Sequence, residues 1–431
     1  MPPVNKVVYL AAGAGGMFCG SCLRDNRLAV TLARQGRDIT LLPLYTPLQT
    51  DEPDASVGQV YYGGINVYLQ QHLALFRHTP RFLDRLLDSP RLLRSLGRFA
   101  ARTQPEQLGR LTVSVLQGDH GPQRKELDRL IEGLARHQPD LINLPNLLFS
   151  GVAGPLKKAL GVPVLCTLSG EDFFVDQLPE PFRSQALDLI ARGSDHIDGF
   201  VAVTRYFGDR AARHFHLPTE KVHHVPMGVP VDSSKPPATP PPEPFTIGYL
   251  ARICPEKGLA ELADAFVRIR KEGRACRLRV AGYLSPAHQS YWEQVQAGIA
   301  EAGFGKDVDD VGQVDLAGKQ RFLQSVHVLS VPAVYPEAKG LYVLEALAAG
   351  VPVVQPAEGS FVELIEQTGG GLLVPPGDIQ ALADGLGQLM DDDELRVKLA
   401  SQGRSAVAEG FSEEVMAQKT WALYSRFFRS S

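Results

Sequence analysis

The segment 233-SSKPPATPPPEP-244 puts six prolines into twelve residues and divides the chain into two stretches of similar rhythm. Proline fixes φ and has no amide hydrogen to donate, so such a run neither continues a helix nor sits inside a sheet. It predicts a connector. Before it, VVYLAA (7–12), DITLLPL (38–44), DLINLP (140–145), PVLCTL (163–168) and GFVAVT (199–204) predict strands. Residues 26–35, 125–137 and 151–160 between them carry helical patterns. After the prolines the alternation restarts with FTIGYL, CRLRVAG, DVDDVGQV, VHVLSVPA and PVVQPA. Several of these runs are almost continuously apolar, which suits strands covered on both faces and therefore parallel sheets with helical crossovers. The expected fold class is α/β. The expected domains are 1–232, a hinge at 233–244, a second domain at 245–410, and a last helix at 411–431.

Length supports this division, because 431 residues exceed one ordinary core. With 44% apolar residues, 21% charged residues and a formal net charge of -4, the chain does not read as a nucleic-acid binder. No apolar run approaches the ~20 residues that span a bilayer. The opening MPPVNKVVYLAAG lacks the basic and long apolar regions of a secretion signal, so a cytoplasmic location is expected. The five cysteines, at 19, 22, 166, 254 and 276, are scattered and odd in number, which argues against a disulfide framework. One segment breaks the rhythm. Residues 77–103 are arginine-rich with leucines at helical spacing. They predict a helical excursion packed by its leucines; the alternative is peripheral contact with an anionic membrane.

The loop 11-AAGAGGMFCGSCLRDN-26 follows a strand and precedes a helix, where amides bind anions. A dinucleotide fingerprint needs a third glycine, but Phe18 stands there, and the second strand ends in Leu42, Pro43 and Leu44 without a carboxylate. CGSC has redox spacing, yet no second cysteine pair or histidine cluster lies nearby to complete a zinc site. Two buried or turn-lining cysteines are the expectation.

The second stretch carries the stronger pattern. Arg252 and Lys257 share a strand-to-helix turn in 248-GYLARICPEKGLAELADAF-266, where two cations suit a diphosphate. Gly282 and Val314 lie at strand ends where a base or ribose approaches backbone. In 336-PEAKGLYVLEALAAGVPVV-354, a helix starting near Gly340 and Leu341 turns free amides toward an anion. Glu345 then falls in its second turn and Glu337 in the preceding loop.

These segments, in this order, resemble the GT-B-fold retaining glycosyltransferases of the family-4 type, the glycosyl transferases group 1. PEAKGLYVLEALAAGVPVV resembles the family's E-x7-E motif and following strand, and RICPEK its R-x4-K phosphate turn. VHHVPMGVPVD resembles the end of its first domain, and GGGLLVPPGD its late loop. The resemblance covers nearly the whole chain. It implies two Rossmann-like domains facing across a cleft, with the last helix crossing back to the first. It also implies metal-independent transfer of a sugar from a nucleotide sugar to a glycan or lipid acceptor, with retention and without a cofactor. In that scheme Arg252 and Lys257 stabilise the departing diphosphate and Glu337 contacts the transferred sugar. Glu345 takes the ribose, Gly340 and Leu341 supply amides, and Gly15 and Gly16 open the first domain's loop to the phosphates. MFCGSC lengthens that loop before the helix. Two departures stand out: Ser169 occupies a place where the family commonly has histidine, and Lys339 one where an aromatic is usual. Glu171 and Asp172, just beyond Ser169, become candidate acceptor contacts or helix caps. The rival functions are a silent nucleotide-sugar sensor, favoured by Ser169, and a nucleotide-sugar epimerase.

Overall fold

The computed structural model describes residues 5–13, 20–48, 50, 52–57, 60–61, 105–231, 241 and 243–429. Gly15, Gly16, Cys19, the arginine-rich 77–103 and most of the proline run lie outside these residues. The chain divides into two units, Met1–Pro226 with Met416–Ser431, and Met227–Val415.

The first unit is built on a six-stranded sheet of order β2-β1-β3-β4-β5-β6. The strands are β1 (Lys6–Ala11), β2 (Asp38–Pro43), β3 (Leu141–Leu144), β4 (Val164–Leu168), β5 (Gly199–Ala202) and β6 (Val222–His224). Every pairing is parallel. The central strands β3 and β4 are buried along their whole length, as their unbroken apolar runs require. Order reverses between β1 and β3, so the loops after these two strands leave the sheet side by side.

The first helix runs Gly20–Arg34 and so begins inside CGSC, earlier than the periodicity from residue 26 predicts. The reason is packing. Cys22 is 2% exposed and joins Val7, Tyr9, Leu28 and Leu41 in one apolar cluster, so burying it draws the helix start back from residue 26 to Gly20. The last helix, Glu413–Ser425, places Met416, Ala417, Leu423 and Tyr424 in the same cluster, with Trp421 and Phe427 packed at its margin. Burying such side chains contributes roughly 1.5–3 kcal/mol each, which explains why the tail belongs to the first unit although it follows the second in sequence.

The second unit repeats the plan, with order β12-β11-β10-β7-β8-β9. Its strands are β7 (Phe245–Leu250), β8 (Cys276–Ala281), β9 (Val308–Gly312), β10 (Val328–Leu329), β11 (Val353–Pro356) and β12 (Gly371–Val374), again all parallel. Here the reversal falls between β7 and β10. In open α/β sheets a ligand binds outside the carboxyl ends of the strands at such a switch point. Among the described residues, no helix is long and apolar enough to cross a membrane.

Candidate functional site

The turn after β7 separates two cations. Tyr249 Oη donates to the Arg252 carbonyl at 2.9 Å, and Pro255–Lys257 then form one turn of 3-10 helix. Gly258 ends it at φ +71°, where an added Cβ would lie 1.8 Å from the Pro332 carbonyl oxygen. No other residue fits that turn. The result draws Lys257 inward to 8% exposure and leaves Arg252 exposed. Arg252 makes no ion pair with a described residue, whereas Lys257 is bound to Glu337.

Because β7 and β10 are paired, the loop after β10 lies beside this turn. Val334 N donates to the Glu256 carbonyl at 3.1 Å, which fastens one loop to the other. Glu337 is 4% exposed. Its carboxylate accepts from Lys257 Nζ, from Tyr335 Oη at 3.0 Å, from Tyr342 Oη at 3.2 Å and from the Lys339 amide at 3.3 Å. Lys257 Nζ also donates to Tyr335 Oη at 2.8 Å and lies 5.0 and 5.4 Å from the ring centres of Tyr335 and Tyr342. Burial pushes the Glu337 carboxyl up, but the Lys257 ammonium, the Lys339 charge and the tyrosine bond outweigh it and hold it at about 2. Burial, followed by the Glu337 charge, pushes both tyrosines up, so they remain hydroxyl donors. The segment after the adjacent strand β11 closes the group: Ser360 N donates to the Glu337 carbonyl at 2.8 Å, and a Cβ on Gly359 (φ +64°) would meet the Glu337 amide nitrogen at 2.6 Å.

The remaining second-unit candidates surround this core. Gly282 follows β8 with its amide on the Gly312 carbonyl, and a Cβ there would meet the Ala251 carbonyl oxygen at 1.7 Å. Gly340 caps helix Leu341–Ala348 at φ +65°, with Leu341 as its first residue. Glu345 lies in the second turn, as its spacing predicts, and pairs with Lys319 at 2.9 Å. Lys319 belongs to helix Leu316–Leu323, which begins two residues beyond Val314 and is capped by Asp315. Sequence reasoning missed Lys319, Tyr335 and Tyr342. The only signal for the tyrosines is that they flank Glu337 by two and five residues.

In the first unit the candidates are committed to local structure. Glu171 is 5% exposed and accepts from the Ser169 amide at 2.9 Å and the Leu147 amide at 3.2 Å, so it clamps the loops after β3 and β4 together. Asp172 is paired with Arg210. Ser169 Oγ donates weakly to the Pro145 carbonyl at 3.4 Å. Of the loop after β1, Gly15 and Gly16 lie outside the described residues. Among those described, no three His, Cys, Asp or Glu side chains are grouped to hold a metal ion.

Comparisons with known proteins fit this architecture. Residues 231–406 match the family described as Glycosyl transferases group 1, and residues 113–233 match Glycosyltransferase Family 4. The chain is 32% identical over 180 residues to the phosphatidyl-myo-inositol mannosyltransferase of Mycobacterium leprae, a match spanning 42% of this chain and 46% of that protein. The chain thus spans about half the length of the curated relatives it matches. Among solved structures, sucrose-phosphate synthase from Thermosynechococcus elongatus has a TM-score of 0.69 at 19% identity, covering 99% of this chain and 100% of that one. Anabaena HepE in complex with UDP has a TM-score of 0.65 at 17% identity, covering 98% of this chain and 100% of that one. At such identities these likenesses establish the fold. The two adjoining family matches together run from residue 113 to residue 406, and the chain belongs to the glycosyl transferases group 1, with the GT-B fold.

Proposed function

We propose that the protein transfers a hexosyl group from a nucleotide sugar to a glycan or lipid hydroxyl, with retention of anomeric configuration and without a metal. The observation that carries this is the pairing of an exposed Arg252 with the buried Lys257–Glu337 cluster at the switch point of the second sheet. Arg252 and Lys257 supply positive charge where a leaving diphosphate develops negative charge, the role a divalent cation serves elsewhere. The amides of Gly340 and Leu341 add a helix N-terminus to the same end of the sheet. Glu337 is fixed and ionised, and so accepts hydrogen bonds from the hydroxyls of the transferred sugar. Glu345 sits on the same helix for the ribose, with Lys319 as its present partner. The acceptor hydroxyl attacks from the leaving-group side, and the departing phosphate takes its proton, so no protein nucleophile is required.

Mannose is the first hexose to test, because the Mycobacterium leprae relative is a mannosyltransferase. The purified chain is mixed with GDP-mannose and with UDP- and ADP-sugars in the presence of a chelator. Nucleotide release and the anomer of the product are then followed by NMR. Release of nucleotide with an α-linked product from an α-linked donor is the expected result; an inverted product or strict dependence on added metal sinks the mechanism. A second reading, a sensor that binds donor without turnover, is favoured by Ser169 standing where the family has histidine. Tight donor binding with no release under any acceptor would select it.

A further inference from the structure

Lys257 Nζ carries three protons, of which one goes to Tyr335 Oη and one to Glu337. Among the described residues the third meets no acceptor, and a ligand can take it. A phosphate oxygen that takes it brings a second anion beside a carboxylate already 4% exposed, and two anions sharing one ammonium in a buried site repel. The tyrosines answer this conflict. Tyr335 Oη accepts from Lys257 and donates to Glu337, and Tyr342 Oη donates to the same carboxylate oxygen. We propose that Tyr335 and Tyr342 are positioning residues that hold the Glu337 carboxylate with neutral donors while a ligand diphosphate shares Lys257 with it.

This inference rests on the nucleotide-sugar function above and adds two residues to it. The other charged groups facing Glu337 are Lys257 and Lys339, with Arg252 acting on Tyr335 from further out. Neither lysine does what the hydroxyls do. Lys257 is the group being shared, and Lys339 contributes its backbone amide and its charge. The hydroxyls add donors without adding a charge that would compete for the phosphate. Their rings, 5.0 and 5.4 Å from Nζ, also keep the ammonium in place by cation–π attraction.

The test is a mutant cycle on the full chain, with GDP, UDP and ADP as probes and calorimetric titration as the readout. Tyr335→Phe and Tyr342→Phe are made singly and together, in the native chain and in a Glu337→Gln background. Each single change is expected to weaken diphosphate binding severalfold and the pair on the order of tenfold, as the loss of hydrogen bonds to a charged group requires. In the Gln background that penalty disappears, because no carboxylate is left to hold. Equal weakening in both backgrounds, or melting temperatures that fall with affinity unchanged, overturns the proposal. Should Glu337→Gln fail to fold, guanosine, uridine and adenosine decide in the native background: the paired Phe variant is expected to weaken the diphosphates on the order of tenfold and to leave the nucleosides, which bring no second anion, unchanged, and equal weakening of both overturns the proposal. A wild-type chain that binds none of the three probes overturns the nucleotide-sugar function itself.

Discussion

Each unit buries a cation beside a carboxylate and a tyrosine hydroxyl, and the two clusters sit at different depths of their sheets. In the first unit, Arg24 and Asp25 are neighbours on one helix, and both meet Tyr9 in the middle of β1. The network continues inward. Thr167 bonds Tyr9 at 3.0 Å and accepts from Asn143 at 2.9 Å, while Tyr424 of the last helix donates to Asn143 at 3.2 Å. In the second unit, Lys257 and Glu337 lie on the loops that follow two adjacent strands, next to the exposed Arg252. The chemical ingredients are alike, but the first cluster lies within its sheet against the tail helix, whereas the second lies on the loops beyond the strand ends. Buried charge alone is therefore a poor sign of function. The first cluster ties the tail helix to its sheet through Tyr424 and Asn143; the second is the one to which the proposed function assigns an anion.

That contrast breaks or holds first at Asp25. Asp25→Ala leaves Arg24 buried without its carboxylate and is expected to cost about 3–5 kcal/mol of stability, with nucleotide affinity of the folded protein unchanged. Urea unfolding followed alongside calorimetric titration reads both; a loss of affinity with stability intact would place Arg24–Asp25 in the ligand site after all. Arg252→Ala is the mirror image. Transfer is expected to fall on the order of 10²–10³-fold, as for removal of a preorganised charge donor, while unfolding moves by no more than ~0.5 kcal/mol because the side chain is exposed. Steady-state rates that survive this change would remove Arg252 from the mechanism.

Tyr424→Phe sharpens the comparison at smaller scale. It deletes the hydroxyl that reaches Asn143 and should cost about 0.5–1.5 kcal/mol, measured as a lower thermal midpoint. No effect would mean the tail is held by its apolar face alone.

The smallest effect expected is one of pH. His327 is 5% exposed, accepts from the Thr246 amide through Nδ1 and stacks on Phe245, and burial together with the Arg396 charge lowers its pKa from the ordinary 6.5. The unfolded imidazole therefore takes up a proton before the folded one does. Its contribution is fully present above pH ~6.5 and is lost as pH falls from there through the folded pKa. Glu337 behaves with the same sign at lower pH: its folded carboxyl titrates at about 2, so its contribution is present above the ordinary carboxyl range and fades as pH approaches 2. Melting temperature against pH should show a shallower decline below pH 6.5 in His327→Asn than in the native chain, and parallel curves would rule His327 out.

Much of this was legible in the residues. β-branched or apolar runs placed ten of the twelve described strands, and the central ones are unbroken, as in VLCTL, because a strand covered on both faces needs such a run. Two strands left no such trace. β6 is three half-buried residues, VHH, and β12 is mostly half-buried and follows two glycines in GGGLLV. Both are edge strands, and an edge strand completes a sheet without needing a continuous apolar run. The start of the first helix was misplaced for a related reason: Gly20, Ser21 and Cys22 are poor helix formers, and burial of Cys22 overrides that preference.

By itself the sequence determined a strand–helix alternation on each side of the prolines, together with the order of the RICPEK and E-x7-E segments, and hence Arg252, Lys257, Glu337 and Glu345 as candidates. These properties are local: periodicity, turn chemistry and short-range spacing are written in neighbouring residues. What only the tertiary structure decided is who meets whom. β10 returns to lie against β7 rather than beyond β9, and that crossover alone brings Lys257 to Glu337 across eighty positions, with Tyr335 and Tyr342 around them. It also left Arg252 exposed while Lys257 was bound, and it gave Glu345 a lysine from another helix. Spacing along a chain sets which face of an element a side chain occupies; strand order sets which loops become neighbours, and the charge balance of the site follows from those neighbours.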